Sequence, residues 1–93
     1  MVRFTLDNSL QGDELILDGR VSVTARIVLA AEQPLETLEP VSAKRCWNVP
    51  RRQDQRDLNV SLDLELEAAD RYVYLRARQD NGALIYASPV FLV

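Results

Sequence analysis

The chain has 93 residues, 47% of them hydrophobic and 27% charged, which allows one folded domain within it and argues against disorder. Its net charge of −3 makes it a poor ligand for nucleic acid, and no apolar run approaches the roughly 20 residues of a membrane-spanning helix. With a single cysteine, Cys46, and no histidine, an internal disulfide, a nucleophile–histidine pair and a histidine-ligated metal are all excluded.

The opening, Met1-Val2-Arg3-Phe4-Thr5-Leu6-Asp7, has no signal-peptide core, so a cytoplasmic location is the default expectation. Val2–Leu6 reads as a short first strand and Glu14–Leu17 as another. Asp18-Gly19 marks a turn into the segment at Val21. There Val21, Val23, Ala25, Ile27 and Leu29 share one face, while Ser22, Thr24 and Arg26 take the other. This period of two belongs to a strand with one face on a core and one in water. Gln33-Pro34 and Glu39-Pro40 bracket Leu35–Leu38, a short strand or an irregular crossing. Ala43–Val49 reads as a further strand and Arg51–Asp57 as a polar loop.

The alternation is strictest from Leu58. Leu58, Val60, Leu62, Leu64 and Leu66 face one way; Asn59, Ser61, Asp63, Glu65 and Glu67 face the other. In the next segment Val73, Leu75 and Ala77 point inward, and Tyr72, Tyr74, Arg76 and Arg78 outward. Asp80-Asn81-Gly82 then signals a hairpin, because Asn-Gly tolerates positive φ at both turn positions. Leu84–Val93 returns antiparallel, with an edge or bulge at Pro89, which has no N–H to give a ladder. These six to eight short strands predict an all-β, immunoglobulin-like antiparallel sandwich spanning residues 1–93. The expected core is Val21, Val23, Ala25, Ile27, Leu29, Leu58, Val60, Leu62, Leu64, Val73, Leu75 and Ala77, joined by Trp47.

Four features could carry chemistry. The stripe Tyr72, Tyr74, Arg76, Arg78 is suited to hold a neighbouring domain, a peptide or a carbohydrate. It is equally suited to cross-strand support, with one tyrosine anchoring a loop as in a tyrosine corner. Residues 44–56 hold five basic residues against one acid, a net of +4 that leaves −7 for the remainder. This segment encloses Trp47, either as the anchor of an anion-binding patch or as core beside a solvated loop. Asp63, Glu65 and Glu67 form an acidic row, but side chains two apart on a strand stand about 6–7 Å apart, too far for a compact Ca²⁺ site. Cys46 follows Arg45, which could lower its thiol pKa; without a histidine partner an inert thiol is expected. No catalytic, metal or cofactor site is expected.

The closing residues, Asp70-Arg71-Tyr72-Val73-Tyr74-Leu75-Arg76-Ala77-Arg78-Gln79-Asp80-Asn81-Gly82 and then Ala87-Ser88-Pro89-Val90-Phe91-Leu92-Val93, resemble the final hairpin of PHP-type (polymerase and histidinol phosphatase) metal-dependent hydrolases. Those enzymes end in a small accessory β-sandwich. Gly12-Asp13 ahead of the strand at Val21 suits the opening of that module. Tyr86-Ala87 stands where the family often has a tryptophan before Ser-Pro. A weaker similarity to fibronectin type III domains rests on the same hairpin. The resemblance implies a non-catalytic accessory domain that packs on a catalytic domain or other protein partner through Tyr72, Tyr74, Arg76 and Arg78. The family's catalytic residues lie in its other domain, and none is carried over. A stand-alone module for carbohydrate or peptide is the alternative, and exposed edge strands would allow a homodimer.

Overall fold

The computed structural model describes residues 2–7, 9–17, 19, 21–50 and 55–93. Among the described residues nine strands occur in chain order: β1 (Val2–Leu6), β2 (Ser9–Leu10), β3 (Glu14–Leu15), β4 (Val21–Ala30), β5 (Leu35–Ser42), β6 (Asp57–Leu66), β7 (Tyr72–Gln79), β8 (Leu84–Tyr86) and β9 (Val90–Leu92). A 3₁₀ turn, Ala68–Asp70, separates β6 from β7. The first sheet has the order β2-β1-β4-β6. The second runs β3-β9-β7-β5, with β8 also on β7.

The chain is therefore all-β and folds as a two-sheet sandwich. Every strand pair is antiparallel except β3 with β9, where two residues on each side run parallel. These nine strands exceed the six to eight expected because the two-residue β2 is not among the expected strands and one expected strand is split into β8 and β9, while Ala43–Val49 does not form a strand.

Between the sheets lies one core. The first sheet contributes Phe4, Leu6, Val23, Ala25, Ile27, Leu29, Leu58, Leu64 and Leu66; the second contributes Leu35, Leu38, Val73, Leu75, Ala77, Val90 and Leu92. Val60 and Leu62 point inward but are only half-buried, since β6 is the edge of its sheet and lacks a neighbour to cover them. Trp47 is also half-buried, packed on the rim of the core beneath the Arg45 guanidinium, 5.5 Å from the ring centre. Phe4, Leu6 and Leu38 are fully buried where Trp47, expected in the core, is not. The side chain of Val21 lies outside the described residues.

Two prolines shape the second sheet. β5 does not stop at Glu39-Pro40 but runs through it, with Pro40 opposite Leu75. Pro40 is tolerated because its backbone faces the sheet edge: its carbonyl accepts from Trp47 N at 3.0 Å, and its missing N–H is not needed by β7. Without that N–H the bond cannot be returned; Ala43–Val49 is not a strand, and lies along β5 through one bridge, Val41 to Cys46, and single backbone bonds from Trp47 and Val49. Of the predicted loop Arg51–Asp57, residues 51–54 lie outside the described residues and Asp57 opens β6.

Of the edge or bulge expected at Pro89, a bulge forms. Val73 pairs with Val90 and Arg76 with Tyr86, so two residues of β7 oppose the three residues Ala87, Ser88 and Pro89. The Asp80-Asn81-Gly82 hairpin forms, with a different turn from the one expected. Only Gly82 has positive φ, at 88°, and Gln79 N donates to Ala83 O at 2.8 Å. A third loop residue, Asp80, makes this a three-residue connection with glycine at the left-handed position.

Candidate interaction face

The outer face of the second sheet gathers the predicted stripe and more besides. β7 is its central strand, and alternation sends Tyr72, Tyr74, Arg76 and Arg78 outward. Tyr72 and Tyr74 stack with ring centres 6.1 Å apart, and Tyr74 meets Tyr86 at 6.3 Å. Arg76 lies opposite Glu39 of β5 and donates to its Oε1 from Nε at 3.1 Å and from Nη2. That carboxylate raises the Arg76 pKa, first through the hydrogen bonds and then through its charge. Arg78 reaches Glu36 more loosely, at 3.7 Å, with both side chains exposed. The two arginines are thus neutralised within the sheet.

Sequence reasoning missed the apolar part of this face. Among the described residues the exposed large hydrophobic side chains are Leu10, Ile16, Leu84, Tyr86, Phe91 and Val93. All but Leu10 belong to the second sheet or continue its strands. Leu84 pairs with Arg78, Tyr86 with Arg76, and Phe91 with Tyr72. Ile16, 83% exposed, follows Leu15, whose partner Leu92 points into the core, and Val93 follows Leu92. The bulge is what joins them. Tyr86 and Phe91 are five residues apart, an odd spacing that would put them on opposite faces of a regular strand. The extra residue restores the parity.

The other candidates are occupied or dispersed. Arg45 is held by Asp70 at 2.9 Å and Lys44 approaches Glu67 at 3.6 Å, so the described start of the basic segment is paired within the domain. Arg51 and Arg52 lie outside the described residues. Asp63 accepts a 3.3 Å hydrogen bond from Thr24 Oγ1, and among the described residues no three acidic, cysteine or histidine side chains converge on a point. Cys46 is exposed.

No tyrosine hydroxyl makes a hydrogen bond among the described residues; the turn into β7 is anchored instead by Asp70. Its carboxylate is fully buried and accepts from Ser42 Oγ at 2.8 Å, Arg45 Nη2 at 2.9 Å, Glu67 N at 3.0 Å and Arg45 Nε at 3.3 Å. Burial alone would push this carboxyl up. The hydrogen bonds from Arg45, Glu67 and Ser42, with the Arg45 charge, outweigh burial and hold it below the ordinary carboxylate range. No helix of the described residues is long and apolar enough to cross a membrane. No family model, curated protein or solved structure matches the chain.

Proposed function

We propose that this chain is a non-catalytic interaction domain whose outer second-sheet face packs on a protein partner. The observation that carries this reading is the concentration of exposed Ile16, Leu84, Tyr86, Phe91 and Val93 beside the tyrosine stack on one sheet face. Contiguous apolar surface of this kind costs solubility unless something covers it. Its arginines are already paired with Glu39 and Glu36, so the face suits an apolar protein surface better than a polyanion. The strand order supports an immunoglobulin-like assignment: β1, β4 and β6 in one sheet, β5, β7 and β8/β9 in the other, with β3 parallel to the last strand. The resemblance of the closing hairpin to PHP-type hydrolases gives the partner class, a metal-dependent hydrolase domain.

The test is light scattering after size exclusion, on the chain alone and mixed with the hydrolase encoded nearest to it. A complex lost in the double variant Tyr86→Ser, Phe91→Ser, with the variant's melting curve unchanged, supports the reading. A wild-type monomer that ignores the hydrolase overturns it, and a glycan array then tests the stripe as a carbohydrate platform.

A further inference from the structure

We infer that the free edge of β6 is a strand-addition site for an extended, basic segment of a partner protein. This site lies in the first sheet and is separate from the face described above.

The backbone directions follow from one residue. Thr24 of β4 spends its N–H on Asp7 Oδ1 and its carbonyl on Asp7 N, both at 2.8 Å and both on the β1 side. Thr24 lies opposite Asp63. In an antiparallel ladder, a residue that bonds away from its opposite forms a non-hydrogen-bonded pair with it, and the opposite residue bonds away too. The N–H and C=O of Asp63 therefore point off the sheet, as do those of Asn59, Ser61 and Glu65 by alternation. None of these groups has a backbone partner among the described residues. β6 is one of the two longest strands among the described residues, at ten residues, and its outer edge from Asn59 to Glu65 is a template for another chain.

Two features say what fits. Asp63 and Glu65 are exposed on the solvent face and form no ion pair among the described residues, and β6 contains no basic residue. Pairing β6 with β6 of a second copy would bring carboxylates only to carboxylates or neutral side chains, which disfavours self-association. A cationic strand meets the opposite situation. On the inner face, Val60 and Leu62 are half-buried for want of a neighbour, so apolar side chains of an added strand would cover them. The ligand is an extended segment with Lys or Arg alternating with aliphatic residues, the mode of β-augmentation.

The probe is an acetylated, amidated Lys-Val alternating peptide of about eight residues, matched to ordinary strand length. In antiparallel addition, the residues opposite Asn59, Ser61, Asp63 and Glu65 are the lysines, and their amides carry the ladder. N-methylation of the lysine amides should weaken binding about tenfold or more, while N-methylation of the valine amides should not. The Ser61→Pro variant removes an edge N–H without touching the β4 ladder and should weaken binding similarly. The Asp63→Lys, Glu65→Lys variant should exchange preference toward a Glu-Val peptide, which covers the case in which the proline variant fails to fold. Amide NMR shifts should map to Asn59–Glu65. The inference is overturned by absence of saturable binding, by equal binding of both N-methylated peptides, or by shifts mapping to Tyr72–Arg78. It is also overturned if the free chain dimerises and Ser61→Pro abolishes the dimer.

Discussion

Arg45 reaches across 25 residues of sequence to hold Asp70, the one fully buried carboxylate among the described residues, by a two-pronged contact at 2.9 and 3.3 Å. The pair ties the turn after β5 to the turn before β7, at the end of the sandwich where β6 crosses to the second sheet. Removing the guanidinium strands a buried charge. Arg45→Met should therefore cost about 2–4 kcal/mol, reduced from the value for a fully buried pair because Arg45 remains partly exposed. Urea unfolding checks it, with Lys44→Met as a control expected to cost under about 1 kcal/mol.

The same carboxyl predicts acid sensitivity. Its folded pKa lies below its unfolded value, so the unfolded chain binds the proton more readily. This contribution is fully present above the unfolded pKa of about 4 and is lost as pH falls through the lower, folded pKa. The urea midpoint of the wild type should drop below pH 4. In Asp70→Asn the curve should start lower and fall less over the same window.

Arg71, next in the chain, has φ of 67° and ψ of −44°, a region that side chains with a Cβ avoid. Its N–H bonds Ala68 O and its carbonyl accepts from Leu92 N, which fix it there. Arg71→Gly should relieve more strain than its added unfolded-state entropy costs, raising stability by up to about 1 kcal/mol. For a domain of this size that is a rise in Tm of about 4–8 °C, measurable by calorimetry.

Deleting Ser88 should remove the bulge between β8 and β9. Tyr86 and Phe91 would then stand four residues apart, so Val90 and Leu92 keep their inward faces and Val73 and Tyr72 keep their partners. The deletion should therefore leave the domain folded by circular dichroism, at a cost within the ordinary range of about 0.5–3 kcal/mol. Ser88→Gly, which keeps the residue count, should change stability by less than about 1 kcal/mol.

Alternation along β4, β6 and β7 was readable because the inward and outward sets are written locally, residue by residue. Val23, Ile27, Leu64 and Leu75 are all buried as their parity requires. The Tyr72–Arg78 stripe was readable for the same reason, and so was an interruption of the ladder at Pro89, as an edge or a bulge, since a proline cannot serve a ladder. What the chain by itself determined is therefore an all-β sandwich and the sidedness of each long strand.

Its consequences at a distance were decided only in three dimensions. That Tyr86 and Phe91 share the stripe's face depends on how many residues the bulge inserts against β7. That Asp70 rather than a tyrosine anchors the corner depends on Ser42 and Arg45 arriving from another strand. That Trp47 sits at the rim, under the Arg45 guanidinium, depends on how the segment after β5 lies along that strand. That β6 ends its sheet depends on which strands find partners. Periodicity fixes which way a side chain points from its own strand; which strand lies beside it is settled by competition among all inward faces for one core.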